Sequence, residues 1–198
     1  MTDRFSRALV AIDQANAADP RRAANGKPFE IDHAERLTAW LERLRSSPSD
    51  LLRLAGRGQH IERWTIPRER YPEGRAGYLQ WREDLKRFHA RRVADILTAV
   101  GYSTADTDRT TALITKRALR EGDPDGQALE DALCLVFLET QFLELKSKTP
   151  DDKMRDIVLK TWRKMSPAGH TAALTLPLDP QAKTFLEKTL APSPFPSV

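Results

Sequence analysis

The sequence predicts an all-α, single-domain helical bundle. Three observations predict it. Apolar residues recur at spacings of three and four on at least six separate segments. No alternating apolar–polar run survives for more than a few residues, and no internal repeat is present. At 198 residues, 40% hydrophobic and 30% charged, the chain can bury one real core. The domain is expected over residues 1–190, with 191–198 a loosely ordered tail.

Phe5, Leu9, Ile12 and Asn16 share one face and predict a first helix over roughly residues 3–18. "ADPRRAANGKPF" breaks that pattern with Pro and Gly. Leu37, Trp40, Leu41 and Leu44 mark a second helix at about 29–46. Ser49 or Asp50 can cap a short third helix, "LLRLAGRGQHI". A Pro-rich basic loop follows, from about Trp64 to Gly74. A long helix is expected from Arg75 to Val100, with Tyr78, Trp81, Leu85, Phe88, Val93 and Ile96 on its buried stripe and Gly101 as its stop. "STADTDRTTALITKRAL" gives a fifth helix and "DPDGQALEDALCLVFLETQFLELKSK" a sixth. "TPDDKMRDIVLKTWRKMS" gives a seventh, with Thr149 its expected cap, and two short helices follow near Ala168–Thr175 and Pro180–Leu190.

The lone cysteine, Cys134, lies in the apolar run "ALCLVFLE", which argues against a disulfide framework and fits a reducing, cytoplasmic location. The N-terminal stretch is a mixed-charge amphipathic pattern rather than a signal peptide. No run approaches the roughly 18 apolar residues of a membrane span, so no membrane partner is expected. The net charge of +4 is unevenly placed. The segment Arg57–Arg92 carries nine Arg and one Lys against five acids, so it is net +5 and the other residues sum to −1. Local basicity of this kind suits a phosphorylated small molecule or a nucleic acid; a solvated helix face with scattered ion pairs is the competing reading.

There are four histidines, His33, His60, His89 and His170. The first three fall on three successive helical patterns, beside small residues that permit close approach: Ala34, Ala55, Gly56 and Ala90. Glu130 and Asp131 interrupt an otherwise apolar run, and a buried acid requires a metal, a histidine or an arginine as partner.

The order His33, "LLRLAGRGQHI", "HARRVADILTAVGYSTADTDRTTALITKRAL" and "DPDGQALEDALCLVFLE" resembles the His-Asp (HD) metallophosphohydrolase superfamily. More closely, the chain resembles domain-of-unknown-function family 4202, through "AIDQANAADP", "QHIERWTIPRERYP", "GYLQWREDLKRFHA", "LEDALCLVFLE" and "KTWRKMS". The HD resemblance implies a core over about residues 30–146 and a single divalent metal (Zn, Mn or Fe) held by His33, His60 and Asp131. His60 and Asp131 would then carry catalysis, a metal-bound water attacking a phosphate ester. Two departures bear on this. Ile61 stands where the superfamily has its bridging Asp, and Lys116 where a second-metal His would lie, so two metals are not expected. Glu62 can replace the missing acid only if the chain turns there. The alternative is a metal-free hydrogen-bonded cluster of the same three residues. His89 is either a donor to that cluster or a core residue beside Phe88.

The basic loop follows His60 directly, so it is expected at the mouth of whatever the histidines line. Arg63, Arg68, Arg70 and Arg75, with Arg82, can give bidentate donors to phosphate or carboxylate. Trp64, Tyr71 and Trp81 can stack on a ligand ring, Pro67 and Pro72 stiffen the loop, and Lys116 can face a phosphate where no metal is bound. In the competing reading Arg63 and Arg70 pair with Glu62 and Glu69 and pin the loop. "KTWRKMS" puts Lys160 and Lys164 on one helix face and is expected to pack on the bundle, at an edge of the same site or of a partner surface. The expected function is binding or hydrolysis of a phosphorylated, nucleotide-like small molecule. The alternative is a non-enzymatic RNA- or protein-binding helical module.

Overall fold

The computed structural model describes residues 3–191, so the tail expected at 191–198 lies, apart from Ala191, outside the described residues. The all-α expectation is met. Among the described residues the sole β feature is one antiparallel bridge, Arg22 to Pro28, in the loop between the first two helices. The helices are α1 Arg4–Ala17, α2 Phe29–Leu44, α3 Asp50–Arg57, α4 Gly74–Ala99, α5 Thr104–Ile114, α6 Arg117–Arg120, α7 Pro124–Thr140, α8 Phe142–Ser147, α9 Asp151–Trp162, α10 Pro167–Leu174 and α11 Pro180–Leu190. They divide into two compact units, Met1–Leu129 and Glu130–Val198, the division falling within α7.

In the first unit α5 packs on α4 and α3, α3 packs on α2, and α1 lies against α2, α3 and α4. Ile12, Leu37, Leu41, Leu52, Leu54, Ile61, Leu85, Leu97 and Ile114 fill its interior. Hydrophobic burial at about 25 cal/mol per Å² is the main force holding these amphipathic faces together. Specific polar contacts set the angles. Arg57 on α3 grips Asp13 on α1 with two charge-assisted bonds, 2.6 and 2.8 Å. Ser49 caps α3 by accepting from the Leu52 amide, one of the two caps the sequence offered. In the second unit Leu135, Phe142, Met154, Val158, Ala182 and Leu186 are buried, and α11 packs on α9 and α8.

Four boundaries differ from the sequence reading. α3 stops at Arg57, and Gly58 donates to the Leu54 carbonyl as its cap. His60 therefore sits on a chain of tight turns, not on a helix. Those turns are closed by Ile61 to Gly58, Arg63 to His60 and Thr65 to Glu62. A side chain at Gly58 would run into Val93 of α4, so the close approach requires glycine. The fifth helix breaks at Lys116, which adopts the left-handed conformation (φ 61°) between α5 and α6. The sixth breaks at Gln141, and the resulting α8 starts with the fully buried Phe142 between Phe137 and Phe185. Pro150, not Thr149, is the residue before the first turn of α9.

The basic loop contains two short 3-10 turns, Arg63–Thr65 and Arg68–Arg70, and is clamped onto α4. The Trp81 indole donates to the Ile66 carbonyl (2.8 Å), and the Tyr71 hydroxyl donates to Asp84 (3.0 Å). Gly77 of α4 lies so close to Pro72 that a Cβ there would collide with its carbonyl. Gly77→Ala should therefore cost about 1–3 kcal/mol by overpacking, read as a lowered thermal midpoint. Gln80→Ala, one turn on and exposed, should change stability by no more than about 0.5 kcal/mol. Equal midpoints for the two variants would mean that the loop does not press on α4.

Candidate functional site

Three elements of the first unit bring three histidines together. α2 supplies His33, the turn after α3 supplies His60, and α4 supplies His89. The His33 and His60 rings stack at 4.3 Å between centroids and 4° between planes. His60 and His89 lie 5.8 Å apart, tilted by 42°. His33 and His89 are buried, while the His60 side chain keeps 24% of its surface exposed and forms the open side of the cluster.

The turn that presents His60 is fixed from three sides. The Asn16 side chain accepts from the Glu62 amide (3.0 Å). His89 Nδ1–H donates to the Ile61 carbonyl (2.8 Å), which leaves its Nε2 lone pair facing inward. Glu62, left-handed at φ 52°, turns its carboxylate out to Arg92 (2.6 and 3.3 Å). The chain does turn at Glu62, but the acid is spent on Arg92 and does not replace the missing bridging Asp.

Glu30, one helical turn before His33 on α2, completes the group. Its carboxylate accepts from Arg21 (2.6 Å) and stands 3.7 Å from His60 Nδ1. Asp19 holds Arg21 from the other side with bonds of 2.9 and 3.0 Å and accepts from the Glu30 amide. Burial pushes the Glu30 carboxyl up to about 7, against the pull of Arg21. Burial also holds His33 down at about 4 and His89 at about 3. His60 is held well below the ordinary value by the same desolvation, then by His33 and Arg63. The imidazoles are therefore neutral at pH 7. Glu30 Oε2, His33 Nε2 and His89 Nε2 are buried without a hydrogen-bond partner among the described residues. Such orphaned atoms ordinarily mark a water, an ion or a ligand.

Arg63 closes the mouth. Its guanidinium lies over the Trp81 ring at 4.7 Å and has no hydrogen bond or ion pair among the described residues. Burial pulls its pKa down to about 10, partly offset by Glu30. Arg82 extends the cationic edge, lying 6.0 Å over the Tyr78 ring and donating weakly to its hydroxyl. Arg70 and Arg75 are exposed and Trp64 is half-buried. Arg68 does something else: it donates to the carbonyls of Tyr71 (2.9 Å), Pro72 (2.8 Å) and Gly74 (3.4 Å) and so pins the loop. Trp81 and Tyr71, considered above as stacking groups, are held by Ile66 and Asp84.

Asp131 belongs to the second unit. There it accepts from the amide (2.8 Å) and hydroxyl (2.5 Å) of Ser166, the residue that caps α10. A Cβ at Gly169 would press on that carboxylate, so "KTWRKMS" and the glycine after it form a fitted lock around Asp131. Trp162 stacks on His170 at 3.9 Å in the same lock, and His170 Nε2–H donates to the Trp162 carbonyl. The structure brings His33 and His60 together and adds His89. It does not form the expected ligand set with Asp131: no group of three His, Cys, Asp or Glu side chains among the described residues is arranged to hold a metal ion. The ring geometry gives a reason. Imidazole lone pairs lie in the ring plane, and two stacked parallel rings cannot both aim at one ion about 2.1 Å from each nitrogen. As placed, the histidines do not fit a shared metal.

Glu30, Arg21 and Asp19 were missed in the sequence. One signal for Glu30 was present: it lies three residues before His33, on the same helix face. The model of a domain of unknown function (DUF4202) matches residues 6–186, and the chain belongs to that family. No curated protein and no solved structure matches it.

Two measurements probe this geometry. The depressed histidines contribute stability that is present above 6.5, their ordinary value, and lost as pH falls toward the folded values of about 4 and 3. Raised Glu30 runs the other way: its contribution is present below 4.5 and lost as pH rises to about 7. Several imidazoles oppose one carboxyl, so the melting temperature should climb from pH 4.5 to pH 6.5 and then flatten or dip slightly toward pH 7. A flat profile across that window would mean that the imidazoles are not held neutral. Asp131→Ala should cost about 1–3 kcal/mol by orphaning the Ser166 donors, and should leave any anion affinity of the first unit unchanged. Lost binding with unchanged stability would put Asp131 back in a ligand site.

Proposed function

We propose that this DUF4202 member binds a phosphorylated, nucleotide-like small molecule, with a phosphate group received between Arg63 and His60. One observation carries the reading: Arg63 is a half-buried guanidinium with an aromatic ring beneath it and, among the described residues, no acceptor for its donors. Even partial burial weakens the hydration of such a cation, and an anion would restore what is lost. The surrounding arginines strengthen the case by elimination. Arg57 is spent on Asp13, Arg92 on Glu62 and Arg68 on backbone carbonyls. Among the described residues, the positive charge of this segment with no hydrogen-bonded acid or backbone partner therefore lies at Arg63 and Arg82, with Arg70, Arg75 and Arg91 exposed. The exposed edge of His60, and the orphaned Nε2 of His33 where it carries the ring proton, supply donors within the field of the guanidinium; His89 Nε2, an acceptor, supplies none.

Hydrolysis of a phosphate ester is the second reading, favoured by Glu30. A carboxyl with a pKa of about 7 can take or give a proton at neutral pH. It stands 3.7 Å from His60, so the two can pass a proton on or off a bound water. No step in this reading runs through a metal, because the stacked rings do not fit one. The catalytic role expected for His60 is retained here, while Asp131 is committed to Ser166.

Sulfate, pyrophosphate and a set of nucleotides and sugar phosphates, screened by thermal shift and calorimetry, test the reading. Arg63→Ala should weaken binding of the best ligand about tenfold or more, the effect of one charge-assisted contact of about 1.5–3 kcal/mol. Arg68→Ala should instead lower the melting temperature and leave the affinity of the remaining folded protein unchanged. Sulfate keeps its charge between pH 6 and pH 8, so its binding should weaken as Glu30 ionises through about 7, and Glu30→Gln should remove that dependence. If no phosphorylated compound binds, and single-stranded RNA binds with a steep salt dependence, the non-enzymatic module is the correct reading.

A further inference from the structure

The second unit contains a recess that has no part in the site just described. It has a volume of about 580 Å³ and lies between α8, the start of α9 and α11. That is within the range of small-molecule sites, roughly 300–1,000 Å³. Its walls differ sharply in chemistry. Leu143, Pro180 and Phe185 give it an apolar side, and Leu143 is 44% exposed. Lys146, Arg155 and Lys188 ring the same opening, with Asp151 the single acid in the lining. Lys146 is paired with Asp151 at 2.7 Å and lies 4.8 Å over the Phe185 ring. Arg155 and Lys188 have no hydrogen bond or ion pair among the described residues. One acid against three cations leaves the recess net positive. Thr189 is also in the lining, and its hydroxyl is buried without a hydrogen-bond partner among the described residues.

We infer that this recess binds a small anionic amphiphile, whose carboxylate or phosphate head meets Arg155 and Lys188 and whose aliphatic or aromatic body lies on Leu143 and Phe185. The two halves of the lining call for opposite halves of one ligand. A purely polar anion would leave the apolar wall wet, and an uncharged hydrocarbon would leave two cations unmatched. The Thr189 hydroxyl supplies a further donor or acceptor. The recess is built within one unit from α8, α9 and α11, so its occupancy does not depend on Arg63 or on the histidines.

The probe is 1-anilinonaphthalene-8-sulfonate, an aromatic anion that becomes fluorescent when it leaves water. Titrated into the full chain, it should give saturable binding at one site per chain. Arg155→Glu and Lys188→Glu should each weaken that binding about tenfold, the loss of one favourable charge contact and its replacement by a repulsive one. Both residues are exposed, so the melting temperature of each variant should match the parent. Arg63→Ala should leave dye binding unchanged, which separates this site from the phosphate site. Octanoate and octyl phosphate, added as competitors, identify the preferred head group by which displaces the dye at lower concentration. Amide chemical shifts on dye addition should move at Ser147, Thr184 and Thr189. Non-saturable fluorescence, affinity untouched by both charge reversals, or shifts confined to the first unit would each overturn the inference.

Discussion

The first unit depends on one costly arrangement: two buried imidazoles, a third partly open to solvent, and a buried carboxyl around a single turn of chain. Charge on any of them would be poorly solvated there, and desolvation holds the histidines neutral and raises Glu30. The scaffold exists to hold that turn. Gly58 lets it approach α4, Asn16 and His89 bond its backbone, and Arg92 draws Glu62 away to the outside. Once the histidines are neutral, the charge acting on all three that has no acid partner among the described residues is Arg63. A guanidinium with no acceptor, on a ring, beside neutral imidazoles is an arrangement that an anion would complete.

The basic segment resolves into two classes of arginine that its composition could not separate. Arg57, Arg68 and Arg92 are structural ties, and Arg63 and Arg82 are not. The distinction comes from the third dimension. Arg63 was expected either at a ligand or against its neighbour Glu62, but the left-handed backbone at Glu62 sends that acid to Arg92, thirty residues away in the chain. Local sequence pairing predicts ion pairs badly wherever the backbone reverses.

Much of the fold was legible, because helical periodicity and turn residues act locally. The starts of α2 and α4 and the stop at Gly101 follow from the pattern alone. The failures share a cause. Reading His60 onto a helix, running one helix through Lys116 and another through Gln141 all extended a 3.6-residue period across a point where the backbone leaves the helical conformation. Ile61 and Phe142 are fully buried just past such breaks. In the site, the meeting of His33 and His60 was legible from their order, and the role of Asp131 was not. Its partner, Ser166, is 35 residues away and is recognisable only once α10 is seen to begin there.

The account turns on Arg63 being completed by an anion on the side of the histidines. A crystal soaked in tungstate, a heavy tetrahedral stand-in for phosphate, tests this directly. The account predicts an anomalous peak within hydrogen-bond reach of the Arg63 guanidinium and next to His60, with Glu30 still held by Arg21. It is contradicted if Arg63 is found hydrogen-bonded to Glu30 and no peak lies near His60.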